Sequence, residues 1–471
     1  MSARTMSVHA FDDDALGVLD ATGVAARIAS GEITAREAVE AAITRAEAMA
    51  PLAAVETADF ERALRSADSP PPGPFAGVPT FVKDNVDVAG LPTGQGSAAF
   101  TPRPARADSP VVTQLRSAGL VPLGKSRLPE FGFSPACEYA DREPVHNPWH
   151  PGFSPGASSG GAAALVASGV VPIAHGNDGG GSIRIPAAAC GLVGLKPTRG
   201  RTVPDPTDRA MPVRLVTQGV LTRSVRDAAR YYATAEAHRR NPSLPPVRLV
   251  AGPNPTRLRI GVILDSVGGR RSDDETRAAV TATADLLSEL GHHVEDAPLP
   301  VGSQFAHDFG MYWGFLAFAI STGGKRMLAP DFDRSRTDAL TRGLDALYRR
   351  NVGRTPGVLY RLRRTAHTYA RTFADFDVIV SPVLGHTIPE IGYLSPTQPF
   401  DELFEKLTNY AAFTPANNAA GGPAISLPLH TAASGLPLGV HFSAAHGDER
   451  TLLELAFELE QARPFARIDE R

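Results

Sequence analysis

The chain has 471 residues, with 47 Lys and Arg against 50 Asp and Glu and a net charge of −3. This balance gives no reason to expect a nucleic acid or an anionic membrane surface as a partner. Hydrophobic residues make up 43% of the chain, enough for a substantial core. The length predicts one large domain or two closely packed ones.

The cysteine count and the absence of targeting patterns narrow the class further. Two cysteines, Cys137 and Cys190, exclude a disulfide framework and argue against a cysteine metal site. Residues 1–16 lack the basic-then-apolar order of a signal peptide, and no apolar run reaches the roughly 18 residues of a membrane span. We therefore expect a cytoplasmic protein, a monomer or homodimer, without metal or other cofactor.

The predicted elements begin with a helix over 35–48, since Thr34 and Glu37 form a capping-box pattern and an apolar face follows. Extended segments are predicted at 75–82 and 120–124, with a helix at 111–118 ended by Gly119. An Ala-rich helix at 161–168 and a short buried strand at 170–174 follow. A strand that leads into a loop commonly presents chemistry in α/β enzymes.

The second half of the chain predicts a strand–helix–strand unit and then a helical insert. The unit comprises a strand at 258–264, a helix at 273–290 closed by Gly291, and a strand at 293–295. Residues 303–375 are helix-rich and aromatic. Strands at 378–381, 424–429 and 438–443 and a helix at 449–461 complete a mixed α/β body.

Two glycine-serine clusters carry the candidate chemistry. They are Gly156-Ala157-Ser158-Ser159-Gly160-Gly161 and Asp178-Gly179-Gly180-Gly181-Ser182-Ile183-Arg184. Amide hydrolysis needs a nucleophile, a base, an oxyanion pocket and a proton for the leaving nitrogen. Ser182 suits the nucleophile because three glycines let the loop turn tightly. Backbone N–H groups could converge on the oxyanion from Gly179, Gly180, Gly181 and Ser182.

Other catalytic or binding motifs fit less well. A phosphate loop needs a Lys-Ser/Thr pair after its glycines, and none follows here. A Ser-His-Asp triad would need His175 to fold back onto Ser182, whereas a packed strand histidine is favoured. The Gly-x-Ser-x-Gly elbow is absent around Ser182. Cys190 is expected in the core, and a metal role for His292 and His293 is disfavoured.

The ordered motifs resemble the amidase signature family across almost the whole chain. Lys83 lies in a matching segment, 77–85, and further matches occur at 93–97, 124–126, 156–161, 176–187, 191–198, 418–424 and 435–440. The resemblance implies one domain over 1–471, in which a central mixed β-sheet is covered by helices on both faces. Within it we expect a catalytic core at about 75–230 and a helical substrate region at about 303–375.

The resemblance also implies a role for each motif residue. Ser182 takes the acyl group, Ser158, which the family holds on a cis peptide, relays the proton, and Lys83 is the base. This requires a neutral lysine, so burial must lower its pKa from about 10.4. Ser159 is either a hydrogen-bond partner or structural, and Asp178 with Arg184 is expected to brace the loop. The family commonly has Thr where Gly179 stands, which predicts a wider site.

The substrate prediction rests on aromatic residues and on the form of the Ser182 motif. Phe309, Tyr312, Trp313 and Leu316 are candidates for substrate contact, as an aromatic wall or as ordinary core. Three of them, Phe309, Trp313 and Leu316, share a predicted helical face with Ile320.

The Ser182 motif looks most like members that hydrolyse nylon oligomers, aryl amides and carbamates. The expected reaction is hydrolysis of a hydrophobic, aryl or linear oligomeric amide or carbamate (urethanase-like), with esters as further candidates. The alternatives are a glutaminase-like subunit of a tRNA-dependent amidotransferase and a non-catalytic binding protein.

Overall fold

The computed structural model describes residues 7–470, so the first six residues and Arg471 of the expected 1–471 domain lie outside the described residues. Eleven strands are present in this range. In chain order they are β1 (Val55–Ala58), β2 (Pro79–Lys83), β3 (Val121–Ser126), β4 (Ile173–Asp178), β5 (Val193–Lys196), β6 (Thr217–Thr222), β7 (Arg259–Val262), β8 (His293–Asp296), β9 (Val378–Pro382), β10 (Ala424–Thr431) and β11 (Pro437–Ala444).

Fifteen α-helices accompany the strands within residues 7–470. They are α1 (Ala21–Ser30), α2 (Ala35–Ala48), α3 (Phe60–Ala67), α4 (Pro110–Ser117), α5 (Gly160–Ala167), α6 (Arg184–Cys190), α7 (Pro206–Ala210), α8 (Val225–His238), α9 (Asp274–Glu289), α10 (Gln304–Met327), α11 (Ala339–Asn351), α12 (Thr355–Asp375), α13 (Phe400–Tyr410), α14 (Pro415–Ala420) and α15 (Glu449–Ala462).

The strands form one large mixed sheet and one small sheet. The large sheet has eight strands in the order β4-β6-β5-β10-β11-β9-β7-β8, and the small one has the order β1-β3-β2. Pairing from β4 to β9 is antiparallel, whereas β9, β7 and β8 run parallel. Because α9 connects the parallel strands β7 and β8, the predicted strand–helix–strand unit is confirmed.

Helices flank the large sheet and share its core. The largest buried cluster joins side chains of both sheets with side chains of α2, α5, α8 and α15. A smaller cluster lies among α10, α11 and α12, which fill the predicted helical insert. The α/β class, with a large mixed sheet flanked by helices, is therefore confirmed.

Local signals explain where several helices begin and end. Glu37 N donates to Thr34 Oγ1 at 3.1 Å and Thr34 N donates to Glu37 Oε2 at 2.7 Å, which completes the capping box of α2. After α9, Gly291 has φ +90°, a left-handed conformation that glycine adopts without strain.

The strand predicted at 170–174 has different bounds in the structure. It starts at Ile173, just after Pro172, and runs to Asp178. Every residue from Ile173 to Asp178 pairs with β6, so the polar residues and Gly176 extend the ladder rather than end it. As a result, Asp178 is the last residue of β4 and the Ser182 loop leaves directly from the sheet.

Within residues 7–470, no helix has the length and apolar character needed to cross a membrane. No group of three or more His, Cys, Asp and Glu side chains in the same range could hold a metal ion.

Candidate active site

The two sheets meet where β2 lies beside β4. Thr80 Oγ1 donates to the carbonyl of Ile173 at 2.9 Å, and the backbone N–H of Lys83 donates to His175 Nδ1 at 3.2 Å. Since Lys83 is the last residue of β2, its side chain begins at the edge of one sheet and reaches the end of the other. Residues 92 positions apart in the sequence, Lys83 and His175, are thereby brought into contact.

The amine of Lys83 is completely buried, with a side-chain exposure of 0%. Nζ lies 2.7 Å from Ser158 Oγ, 3.0 Å from Ser159 Oγ and 2.8 Å from Asn177 Oδ1. Burial disfavours the charged form and lowers the pKa of Lys83 to about 7. A large share of the amine is therefore neutral near neutral pH, as a proton acceptor must be.

Ser158 lies in a tightly packed turn before α5. The peptide bond between Ala157 and Ser158 is cis, and Ser158 is 3% exposed. Gly132 approaches Ser158 so closely that a Cβ at position 132 would lie 3.1 Å from Ser158 Oγ. Because φ at Gly132 is +69°, both the conformation and the space favour glycine there.

The Ser182 loop is held by hydrogen bonds from both sides. Asp178 accepts from the backbone N–H of Gly181 at 2.7 Å and of Ile183 at 3.2 Å. Thr414 Oγ1 donates to the carbonyl of Gly180 at 2.6 Å. Ser182 itself is half-buried and lies two residues before α6, within the loop that these hydrogen bonds hold.

Arg184 ties this loop to the large sheet. Its guanidinium donates to Asp178 with Nε and Nη2, and to Asn418 Oδ1 at 2.6 Å. Burial alone would raise the pKa of Asp178, but the charge and hydrogen bonds of Arg184 hold that pKa well below its usual range. Asp178 is therefore an ionised brace, in the geometry expected for the pair.

The oxyanion donors differ from the prediction at one position. Gly181 N–H already donates to Asp178 Oδ1, so it is committed to holding the loop. Within residues 7–470, no hydrogen bond to another part of the chain occupies the N–H of Gly179, Gly180 or Ser182. These three groups remain as candidate donors to a developing oxyanion.

The wider site expected from Gly179 is also modified. A Cβ at position 179 would lie 3.1 Å from Val216 Cγ2, closer than an ordinary van der Waals contact. The half-buried Val216 therefore occupies part of the space that a threonine side chain would take. Val216 therefore limits the space beside Gly179.

His175 is a packed strand histidine, as expected. Nδ1 accepts from the Lys83 N–H, so Nε2 is the protonated nitrogen and donates to Gln218 Oε1 at 3.0 Å. Gln218 Nε2 in turn donates to Asp208 Oδ2 at 2.7 Å. Burial lowers the pKa of His175 to about 3, so the ring is neutral and both of its nitrogens are used.

The aromatic helix α10 matches the substrate-contact prediction only in part. Phe309 lies beside the Ser182 loop, since a Cβ at Gly180 would lie 3.4 Å from Phe309 Cζ. Tyr312 differs from the prediction: it is 1% exposed, its hydroxyl donates to the carbonyl of Val213 at 2.8 Å, and it accepts from Val213 N at 2.9 Å. Its polar group is satisfied within the core.

The remaining candidates on α10 share the predicted helical face, since α10 is one continuous helix, but they pack into different clusters. Trp313 packs near Phe404, with ring centroids 5.9 Å apart. Leu316 packs in the same cluster as Tyr312, and Ile320 belongs to a third cluster. Of the two cysteines, Cys190 is buried as predicted, and Cys137 is buried behind Ser158.

Sequence reasoning missed several residues that the site uses. Asn177 contacts the Lys83 amine, and Asn85 is bonded to Asn177 at 3.0 Å. Thr414 and Val216 come from distant segments and touch the Ser182 loop. Asn85 lies in the same family-like segment as Lys83, and Asn177 in the same one as Ser182. A polar side chain so close in sequence to a catalytic candidate could have indicated both residues.

Comparison with known proteins places this geometry in a family. The family model described as Amidase matches residues 37–453. A putative amidase AmiC of Mycobacterium leprae (strain TN) is 49% identical over 463 residues, covering 98% of each chain. The 6-aminohexanoate-cyclic-dimer hydrolase of Paenarthrobacter ureafaciens is 35% identical, covering 95% of each chain.

Solved structures agree with these relatives. A 6-aminohexanoate cyclic dimer hydrolase superposes with a TM-score of 0.88 at 32% identity, over 98% of this chain and 99% of that one. A bacterial aryl acylamidase of the amidase signature family superposes with a TM-score of 0.83 at 27% identity, over 95% and 96% of the two chains. The chain belongs to the amidase signature family and is an amide-hydrolysing enzyme.

Proposed function

We propose that the enzyme cleaves carboxamide-type C–N bonds through an acyl-enzyme on Ser182, with Ser158 as the proton relay and Lys83 as the base. The observation that carries this proposal is the contact of 2.7 Å between Lys83 Nζ and Ser158 Oγ in a fully buried setting. A base with a pKa of about 7 is matched to proton transfer near neutral pH.

In the proposed acylation, protons move from Ser182 through Ser158 to Lys83. Ser158 passes its proton to the neutral amine of Lys83 and takes the proton of Ser182, whose Oγ bonds to the substrate carbonyl carbon. The carbonyl oxygen becomes an oxyanion beside the N–H groups of Gly179, Gly180 and Ser182. Loss of one such donor typically costs about 3–4 kcal/mol of transition-state stabilisation.

Collapse of the tetrahedral intermediate breaks the C–N bond. The leaving nitrogen takes a proton from Ser158, which is replenished from the Lys83 ammonium. Water then attacks the acyl-enzyme by the same route in reverse, and Ser182 regains its proton. Each step moves one proton along a single path and needs no cofactor.

We assign the substrate class to hydrophobic, aryl or linear oligomeric amides or carbamates. Phe309 borders the Ser182 loop, and the half-buried rings of Trp313, Phe131 and Phe133 lie in the clusters that surround α10. An apolar wall favours uncharged, apolar groups next to the scissile bond. The relatives named for 6-aminohexanoate cyclic dimer and aryl acylamide hydrolysis support this assignment. Residues 75–230 would then hold the chemistry and 303–375 the substrate wall.

The test is a side-by-side assay of an anilide, a linear amide oligomer, an aryl carbamate, a small aliphatic amide and glutamine. Wild type should turn over the aryl and oligomeric substrates best, and Ser182→Ala should lose turnover while it remains folded by circular dichroism. Unchanged turnover by Ser182→Ala would overturn the mechanism. Turnover of only glutamine or small aliphatic amides would overturn the substrate class and favour an amidotransferase-type glutaminase.

A further inference from the structure

We propose that Asn177, held by Asn85, is a positioning residue that aims the amine of Lys83 at Ser158. The inference rests on the proposed function of Lys83 as base, and it adds residues outside the Lys83, Ser158 and Ser182 set. Asn177 lies two residues after His175 on β4 and is 6% exposed. Asn85 follows β2 and is half-buried.

The neighbours of Lys83 Nζ support one assignment of donors and acceptors for the neutral amine. Asn177 Oδ1 is a carbonyl oxygen and can only accept, at 2.8 Å. Ser159 Oγ gives its own hydrogen to the Asn177 carbonyl at 3.4 Å, so it accepts from Lys83 at 3.0 Å. A neutral amine has two N–H groups, and these two acceptors use both. The lone pair is left facing Ser158 Oγ.

Asn85 pairs with both ends of the Asn177 side-chain amide. Asn177 Nδ2 donates to Asn85 Oδ1 at 3.0 Å, and Asn85 Nδ2 donates back to Asn177 Oδ1 at 3.4 Å. Because the nitrogen of Asn177 is directed to Asn85, its oxygen is the atom available to Lys83. Without Asn85, the amide could turn and present N–H groups to the amine, which would compete for its lone pair.

The proposed arrangement serves both protonation states of the base. In acylation the Ser158 proton moves to the Lys83 lone pair, and in leaving-group protonation it returns to Ser158 Oγ. Asn177 Oδ1 keeps an N–H partner throughout, because the amine and the ammonium both offer one. The lysine can therefore exchange a proton with Ser158 without rotating.

Other titratable and charged groups face Lys83 or lie next to it, and their states matter for a pH test. They are Cys137, His175, Asp178, Asp208 and the Asp84–Lys125 ion pair. Burial raises the pKa of Cys137 to about 11 and lowers that of His175 to about 3, so both are neutral near pH 7. Burial also raises the pKa of Asp208 to about 7, so an Asp208→Asn variant is needed to separate its titration from that of Lys83.

Two substitutions should move the pH dependence in opposite directions. Asn177→Leu removes an acceptor that stabilises the ammonium, so the pKa of Lys83 should fall and the rate in the plateau should drop by about 100-fold. Asn177→Asp is nearly the same size and places a carboxylate beside the amine, which should raise the pKa of Lys83. The acidic limb, the part of the pH–rate profile where the rate falls as Lys83 becomes protonated, should then move up by about one pH unit or more.

A buried asparagine whose side chain bonds to backbone carbonyls rather than to Lys83 provides the control. Asn147 is fully buried and donates to the carbonyls of Ser154 and Ala189 at 3.0 and 2.9 Å. Asn147→Ala should lower the free energy of unfolding but leave the position of the acidic limb where it is in wild type. A merely structural role for Asn177 would give the same result.

The experiment measures the second-order rate at which an arylsulfonyl fluoride labels the active serine, from pH 5 to 9, with labelling quantified by mass spectrometry. The reagent forms a sulfonyl ester on the serine and releases fluoride, so no substrate needs to be known. Wild type should have its acidic limb near pH 7. Asp208→Asn should have it slightly lower, because the Asp208 charge raises the pKa of Lys83 a little. Relative to wild type, Asn177→Asp should be displaced upward and Asn177→Leu downward.

The outcomes separate this inference from the proposed function. A wild-type limb position in both Asn177 variants overturns the positioning role while the function stands. If Asn177→Leu does not fold, the displacement in Asn177→Asp alone decides. Equal labelling of wild type and Ser182→Ala would overturn the proposed function, and the positioning role with it.

Discussion

Arg184 and Asp178 form a fully buried, two-bonded ion pair behind the loop that carries Ser182. Nε donates to Oδ2 and Nη2 donates to Oδ1, both at 2.9 Å, and both side chains are 0% exposed. The carboxylate that receives the two bonds also accepts from the N–H of Gly181. The conformation of the glycine loop is therefore set by a charge pair and not by the loop alone.

Removal of one member of this pair should be costly. Arg184→Met would leave the Asp178 carboxylate buried without its cation, and we expect a loss of about 3–5 kcal/mol in the free energy of unfolding. Urea unfolding at pH 7 measures it. The double variant Arg184→Met/Asp178→Leu should recover part of the loss, since no buried charge remains unpaired. A single variant within about 1 kcal/mol of wild type would contradict the role of the pair.

The space beside Gly179 makes a second prediction. Gly179→Thr would place a Cβ 3.1 Å from Val216 Cγ2 and displace the loop, so kcat/KM should fall by about tenfold. Adding Val216→Ala should restore most of the activity, because the smaller side chain makes room. Val216→Ala alone is the matched control. A Gly179→Thr enzyme with wild-type kcat/KM would show that Val216 does not confine this position.

Burial of a neutral lysine links stability to pH. The pKa of Lys83 is about 7 in the folded protein against 10.5 for an ordinary lysine, so between these values the unfolded chain binds more protons. Stability from this group therefore rises with pH across that window, by about 1.4 kcal/mol per pH unit.

Comparison with Lys83→Met isolates this contribution. The free energy of unfolding of wild type minus that of Lys83→Met should increase by several kcal/mol from pH 7 to pH 10. Denaturant unfolding of both proteins at each pH measures the difference, and the other titrating groups cancel. A difference that does not change with pH would mean that the Lys83 pKa is not lowered in the fold.

The hydrogen bonds of His175 predict that it is not a base. His175→Gln can keep an acceptor for the Lys83 N–H and a donor for Gln218, so activity should stay within about tenfold of wild type. Steady-state kinetics on the best anilide of the substrate panel provides the measurement. If His175 were the general base of a triad, the loss would be about 10⁴-fold or more.

Local patterns predicted the elements whose signals lie within a few residues. The capping box placed α2 at its observed bounds, and Gly291 marked the end of α9. The first glycine-serine cluster and the Lys83 segment are brought together in the structure, since Ser158 and Ser159 both contact Lys83 Nζ. The catalytic role of Ser182 stays a prediction.

Long-range pairing explains what the sequence did not reveal. The separate small sheet arises because β2 pairs with β3 while the neighbouring β4 pairs with β6, and no local pattern specifies those partners. No local pattern shows that the hydroxyl of Tyr312 is satisfied by Val213, 99 residues away, which places Tyr312 in the core and not in the pocket wall. In the same way, no local pattern shows that the Gly181 N–H donates to the Asp178 carboxylate and is not free for an oxyanion.

The measurement that tests the central claim most directly is the trapping of an acyl-enzyme. Wild type is mixed with an aryl ester or anilide that it hydrolyses, quenched in acid within milliseconds and analysed by peptide mass spectrometry. The account predicts an acyl adduct on Ser182, absent in Ser182→Ala and strongly reduced in Lys83→Met. Turnover without any adduct on Ser182, or an adduct on another residue that persists in Ser182→Ala, would contradict it.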